Sequence, residues 1–240
     1  MIRLYRIIHS LLFWVLIMAG VAVALIVALF CRPFSRHKLG PFFVISRIWA
    51  KYVVFLGGVR IEVAGLENIP KDKAMIYAVN HQSLADSPIC VSVLPGNVRL
   101  LAKKDIFNAP LLGWYIKRAG YLPVDRNLPQ TFYLLTEKIK EIIHTGESIL
   151  IFPEGVRSWT GELGKFRHAS LLPALISGAP VVPIAISGSR KIMPPPTWIV
   201  NPQRVKVNIG KPIYIRSEAD YDQKLEEVRE AIANMLEDKT

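Results

Sequence analysis

Ser148-Ile149-Leu150-Ile151-Phe152-Pro153-Glu154-Gly155-Val156-Arg157-Ser158 is a short apolar run that breaks abruptly into a turn carrying a carboxylate and a guanidinium. A nearly continuous apolar run suits a strand covered on both faces, as in parallel sheets packed between helices. The same texture recurs on both sides of it. Candidate strands lie at 60–64, 74–79, 98–102, 121–124, 148–152, 181–186 and 205–209. Helical patterns lie between and after them. One spans about 129–144, with Pro129 near its start, Gly146 as its stop and Phe132, Leu135, Ile139, Ile142 and Ile143 on its apolar side. The last spans about 221–236, with Leu225, Val228, Ile232 and Leu236 opposite a charged face. Strands alternating with helices predict an α/β fold, a mainly parallel central sheet with covering helices.

Ahead of this part the texture differs, and the change at Gly57-Gly58 divides the chain into 1–57 and 58–240. Leu11 to Phe30 holds no charged residue. Twenty helical residues rise about 30 Å, the thickness of a bilayer's hydrocarbon core. Arg3 and Arg6 precede this run, and Arg32, Arg36 and Lys38 follow it, so flanking charge orients it only weakly. A second segment, 42–56, is apolar apart from Ser46, Arg47 and Lys51. Arg47 and Lys51 share one helix face, opposite Ile45 and Trp49. That pattern fits a helix in the membrane interface, its basic side chains reaching headgroup phosphates, or an amphipathic helix docked on the protein's own core. Together the two segments predict a membrane-associated helical hairpin.

The 240 residues suffice for one substantial domain and an appendage. With 51% apolar residues the chain is not a disordered one. Thirty Lys and Arg against 19 Asp and Glu give a net charge of +11, which favours anionic partners. No nucleic-acid module is recognisable, which argues against nucleic acid as that partner. The two cysteines, Cys31 and Cys90, make no disulfide framework, and no metal-binding Cys/His spacing occurs.

In α/β folds the chemistry gathers at the carboxyl ends of strands. Three polar sequences occupy such places. In Asn80-His81-Gln82-Ser83-Leu84-Ala85-Asp86, a chain folding back between His81 and Asp86 lets the carboxylate orient one imidazole nitrogen and leaves the other free as a base. In Gly120-Tyr121-Leu122-Pro123-Val124-Asp125-Arg126, Arg126 can grip a phosphate or pair with Asp125 at the surface. After the strand at 148–151, Glu154 can bind a substrate hydroxyl or brace local structure. Arg157 can neutralise a phosphate or pair with Glu154, and Gly155 permits a turn or a close backbone approach.

These sequences, in this order, resemble the 1-acylglycerol-3-phosphate acyltransferases and the wider phospholipid and glycerol acyltransferase family. The first motif of that family, Asn-His, four residues, Asp, matches Asn80, His81 and Asp86. Its second matches Gly120 and Arg126, its third Phe152 through Ser158, and its fourth Val182-Pro183-Ile184-Ala185. The basic Ala102-Lys103-Lys104 stretch precedes Pro110-Leu111-Leu112-Gly113-Trp114, and the likeness runs from about residue 40 to 215.

The resemblance implies transfer of a fatty acyl group from acyl-CoA or acyl carrier protein to the sn-2 hydroxyl of 1-acylglycerol-3-phosphate (lysophosphatidic acid), giving phosphatidic acid. His81 is then the general base and Asp86 sets its tautomer. Arg126 and Arg157 hold the acceptor phosphate, Lys103 or Lys104 adds to that site or binds donor phosphates, and Glu154 with Gly155 shapes the acceptor site. The acceptor supplies the nucleophile, so no acyl-enzyme is required, in agreement with the absence of a Gly-x-Ser-x-Gly elbow, and the reaction needs no cofactor or metal beyond the thioester substrate. Membrane phospholipids are the surroundings. Likeness of the anchor to that of bacterial members implies the inner membrane, with the catalytic domain at its cytoplasmic face. Val156 stands in place of a common Thr, and Lys165-Phe166-Arg167-His168-Ala169 lacks a common Gly, which bears on the acceptor pocket. A related acyltransferase with glycerol-3-phosphate or another lysolipid as acceptor is the alternative within the family, and a noncatalytic lipid-binding protein the alternative outside it.

Overall fold

The computed structural model describes residues 2–35, 39–125, 130–194 and 197–237. Arg36, Lys38, Arg126 and Pro129 lie outside the described residues. In chain order the elements are α1 (Ile2–Cys31), α2 (Gly40–Leu56), β1 (Arg60–Ala64), β2 (Ile76–Val79), α3 (Asp86–Val93), β3 (Val98–Lys103), α4 (Leu112–Arg118), β4 (Leu122–Val124), α5 (Gln130–His144), β5 (Ser148–Ile151), α6 (Leu172–Ser177), β6 (Val181–Ser187), β7 (Arg204–Ile209) and α7 (Tyr221–Glu237). Each expected strand is present, with ends shifted by a residue or two.

The strands form one sheet in the order β1-β7-β6-β2-β5-β3-β4. Every neighbouring pair is parallel except β6 with β7. The continuous apolar runs have their explanation here, because β2 and β5 are central and buried at every position. Edge strand β1 instead alternates exposed and half-buried residues.

Side-chain parity splits the core into two layers. Tyr77, Val79, Leu150, Val182, Ile184 and Ile186 point to one face, where α1, α2 and α3 supply Phe13, Ile17, Val53 and Ile89. Ile76, Ala78, Ile149, Ile151 and Val181 point to the other, against Ile139 and Ile142 of α5, Ala174 of α6, and Val228 and Ile232 of α7. Fully burying one such side chain contributes about 1.5–3 kcal/mol, so these rows set the register.

Helices α1 and α2 pack as a hairpin against that first face. A stripe on α1 is buried at Ser10, Phe13, Ile17, Val21, Ala24, Leu25 and Ala28, the three- and four-residue spacing of a helix face. Hydrogen bonds at Ser10 and Trp14 tie α1 to the segment before β7. Val200 N–H donates to Ser10 Oγ at 2.9 Å, and Trp14 Nε1 donates to Trp198 O at 2.9 Å. The remaining faces of α1 leave Leu11, Leu12, Val15, Val23, Ile26 and Phe30 exposed. On α2 the exposed stripe is Val44, Ile48, Lys51 and Phe55, while Phe42, Phe43, Ser46, Ala50 and Val53 are buried.

One expectation for α2 is overturned. Arg47 does not reach toward headgroups. Its Nη2 donates to Leu94 O at 3.1 Å and to Gly96 O, so it caps the carboxyl end of α3. Ile45 and Trp49 turn inward with the core, and the lipid-compatible face is the third side of the helix.

Candidate functional site

His81 and Asp86 meet at the carboxyl end of β2. His81 follows Tyr77 and Val79 in parity, so its side chain leaves the strand toward the face covered by α1–α3. Asp86 is the first residue of α3, and the turn 82–85 folds the chain back between them. Asp86 Oδ2 accepts three hydrogen bonds, from His81 Nδ1 at 2.9 Å and from the backbone N–H of Gln82 and Ser83 at 2.7 Å each. Three donors converging on one oxygen fix where the carboxylate sits. With Nδ1 donating, a neutral imidazole carries its lone pair on Nε2. Ser83, the hydroxyl nearest in sequence, is fully buried, and its Oγ accepts from Ala85 N–H at 3.2 Å within the turn.

The third motif braces this pair. Strand β5 lies beside β2 in parallel, with Ile151 opposite Ala78, so residues 152–158 leave the sheet next to residues 80–86. Phe152 stacks on the His81 ring, centroids 3.9 Å apart and planes at 17°. Glu154 is buried; its Oε1 accepts from His81 N–H at 2.7 Å and its Oε2 from Gly164 N–H at 2.8 Å. Burial raises the pKa of its carboxyl, and the two backbone donors pull the other way. Both oxygens are thus engaged with the backbone, so of the two roles open to Glu154 the geometry favours the brace. Ser158 N–H donates to His81 O at 2.8 Å, and Gln82 Nε2 donates to Gly161 O at 2.7 Å. Asn80 ties the same turn to β6, giving a hydrogen bond to Ile186 O at 3.0 Å and accepting one from Ile186 N–H at 2.7 Å.

Gly155 sits at φ +74°, and a Cβ there would collide with the Arg167 side chain. Gly155→Ala is expected to lose about 1–2 kcal/mol for the left-handed backbone plus the cost of moving Arg167. Gly146→Ala is the control. It has φ +84° with nothing within 4 Å, so it should lose the backbone part alone. Chemical unfolding of both variants checks the difference.

A cavity of about 440 Å³ opens onto His81. Its walls come from α1 and α2 (Phe13, Ile17, Trp49, Ala50), from α3 and from β3. Among the described residues its only charged or titrating lining groups, tyrosines aside, are His81, Lys103 and Arg157. The rest is overwhelmingly apolar, apart from scattered hydroxyls such as Ser46, which is hydrogen-bonded to Tyr115 at 2.8 Å. No stretch of sequence points to this cavity, because its walls are contributed by segments nearly two hundred residues apart.

The other expected residues separate. Lys103 lines the cavity and is paired with Asp105. Lys104 is exposed, 3.8 Å from Asp125, and outside the cavity lining. Arg157 lines the cavity and has no ion pair among the described residues, so the alternative Glu154–Arg157 pair is not formed. Arg126 lies outside the described residues. The departure at 165–169 leaves the cavity lining untouched. His168 turns to α7, where its Nε2 is 3.1 Å from Asp222. Among the described residues no group of three or more His, Cys, Asp or Glu stands together as a metal site.

Residues 60–187 match the family described as Acyltransferase. A chloroplastic 1-acyl-sn-glycerol-3-phosphate acyltransferase of Brassica napus is 33% identical over 82% of this chain, and one of Arabidopsis thaliana is likewise 33% identical over 82%. The chain spans 59% and 57% of those two relatives. A Pseudomonas aeruginosa protein of the same description is 29% identical, with 88% of this chain and 82% of the relative aligned. The crystal structure of the 1-acyl-sn-glycerophosphate acyltransferase from Thermotoga maritima superposes with a TM-score of 0.83 at 26% identity, covering 98% of each chain. The match extends through the α1–α2 hairpin as well as the sheet, and the chain belongs to the acyltransferase family.

Proposed function

We propose that this chain transfers a fatty acyl group from a thioester, acyl-CoA or acyl carrier protein, to the sn-2 hydroxyl of 1-acylglycerol-3-phosphate, forming phosphatidic acid. The observation that carries the reading is the oriented His81–Asp86 pair in the wall of an apolar cavity. A lipid-binding protein without chemistry has use for the cavity but none for a buried carboxylate fixed on Nδ1 of a histidine that lines it.

The steps follow from the geometry. The acceptor hydroxyl oxygen attacks the thioester carbonyl carbon as His81 Nε2 takes its proton. Asp86 stabilises the imidazolium so formed. Collapse of the tetrahedral intermediate breaks the carbon–sulfur bond, and the departing thiolate takes the proton back from Nε2. The cavity houses an acyl chain and excludes water from the reacting ester. We assign the acceptor phosphate to Arg157, which lacks an acidic partner among the described residues, with Arg126 and Lys103 as further candidates. Glu154, Gly155 and Phe152 keep the third motif against the pair.

Membrane association follows from α1 and α2. One helix is long and apolar enough to cross a bilayer. Its buried stripe, however, rests on the protein's own core from Ser10 to Ala28, so we read the hairpin as lying in one leaflet with its exposed apolar faces in lipid. The likeness to bacterial relatives supports the inner membrane, catalytic domain at the cytoplasmic face.

Purified protein in vesicles, given 1-acylglycerol-3-phosphate with acyl-CoA or acyl carrier protein thioester, is expected to yield phosphatidic acid with at least one donor. Glycerol-3-phosphate should give little product, because it has no tail to fill the cavity. Turnover of glycerol-3-phosphate alone would transfer the assignment to that acceptor, and folded protein inactive with every acceptor would overturn it.

A further inference from the structure

Leu111 holds a backbone conformation that its side chain does not favour. Its φ is +58° and its ψ −59°, the one positive φ at a non-glycine among the described residues. Leu112 N–H donates to Pro110 O at 2.6 Å, which closes a three-residue γ-turn of the rare, strained kind. Such strain costs on the order of 1–3 kcal/mol and points to a use for the side chain held there. Burial is not that use, since Leu111 is 42% exposed. Glycine would take the same backbone without strain.

The neighbours share its character. Trp114 is 42% exposed and Ile106 38%, and the Arg118 guanidinium lies 4.7 Å from the Trp114 ring centroid. Ile106 and Leu112 line the cavity that opens onto His81. The buried side of α4, Tyr115 and Ile116, packs with Val21, Ala24, Leu25 and Ala28 of α1. The patch is therefore continuous with α1, whose exposed Val23, Ile26, Val27 and Phe30 are its lipid-compatible surface. Lys117 and Arg118 at its rim have no acidic partner among the described residues.

We infer that the Pro110–Leu112 turn and Trp114 form a second membrane contact, on the catalytic domain itself, that enters an anionic phospholipid surface beside the cavity. Leu111 sits among acyl chains. Trp114 lies at the headgroup level, and Arg118 and Lys117 reach lipid phosphates. Ile106 and Leu112 then lead from the bilayer into the cavity, so a lipid tail moves between them without crossing water. The inference rests on the membrane-associated hairpin, and the test separates the two.

The test reads depth directly. A thiol-reactive fluorophore is attached to Leu111→Cys in a Cys31→Ser background; Cys90 is fully buried. The full chain is bound to phosphatidylcholine–phosphatidylglycerol vesicles carrying doxyl-labelled lipid. Val15→Cys on the exposed face of α1 and Leu134→Cys on α5, 80% exposed on the opposite side of the sheet, are labelled in parallel. Lipid-borne quenching at 15 and 111, with iodide quenching at 134, is the expected pattern. Iodide quenching at 111 while 15 stays lipid-quenched overturns this inference and leaves the hairpin standing. Iodide quenching at both removes the hairpin reading and this one with it. Leu111→Gly adds a functional readout. Losing one leucine's partition into lipid should lower turnover of vesicle-borne acceptor about tenfold, with turnover in detergent unchanged. The thermal midpoint should hold or rise because strain is relieved, whereas a purely structural role for Leu111 predicts a lower midpoint and equal losses in both assays.

Discussion

Replacing His81 with alanine lowers kcat by about two to four orders of magnitude, the usual contribution of a positioned general base, while the protein stays folded. The fold survives because the sheet does not depend on the ring. His81 follows the end of β2, and the two hydrogen bonds of its backbone, to Glu154 and from Ser158, do not need the side chain. What is lost is the Phe152 stack and one of the three donors to Asp86, a cost of about 1–3 kcal/mol. KM for the acceptor should move far less than kcat, since the phosphate and the tail are held by other groups. Acyl transfer under saturating acceptor, with circular dichroism and thermal unfolding alongside, separates loss of chemistry from loss of fold. Turnover by the variant within a few fold of wild type would exclude Nε2 as the base.

The sheet could be read from the chain because each central strand is buried on both faces, which leaves a continuous apolar mark at 76–79, 148–151 and 181–186. The meeting of His81 with Asp86 was readable for a different reason. Five positions apart they would not share a helix face, so only a fold-back brings them together, and the turn 82–85 supplies it. Phe152 and Asn80 carried a weaker signal. Phe152 shares parity with Leu150, which faces the histidine's side of the sheet, and Asn80 continues β2 beside Ile186. The remainder had no local mark. Arg47 looked like a headgroup ligand because both faces of α2 are amphipathic in sequence, and only the position of α3 shows that its guanidinium is spent on Leu94 and Gly96. Glu154 could serve substrate or scaffold until Gly164, ten residues on, returned to its second oxygen. The cavity is walled by residues as distant as Phe13 and Val200, and the strain at Leu111 is a property of backbone angles that composition does not encode.

Asp86→Asn tests whether the carboxylate acts through its charge or only through its shape. All three donors fall on Oδ2, and Oδ1 is buried with no hydrogen-bond partner among the described residues. Asparagine can place its carbonyl oxygen where Oδ2 stood and keep every one of those bonds. Its amide then replaces Oδ1 in a spot without an acceptor, costing about 1–3 kcal/mol. The ring keeps its tautomer and Nε2 keeps its aim. The missing element is the negative charge opposite the imidazolium that forms as the hydroxyl attacks, in a buried site where charge interactions are strong. The expected result is a kcat lower by about two to three orders of magnitude, with KM for the acceptor little changed because Asp86 touches no part of it. Asp86→Ala should behave differently. It strips the acceptor from the backbone N–H groups of Gln82 and Ser83 as well, so stability falls alongside activity, by about 1–3 kcal/mol for each donor left buried and unpaired. If the asparagine variant keeps nearly full kcat, the carboxylate only holds geometry and its charge has no part in the reaction. If asparagine and alanine lose the same activity while alanine loses the more stability, the charge is what catalysis uses and the hydrogen bonds to Gln82 and Ser83 are what the fold uses.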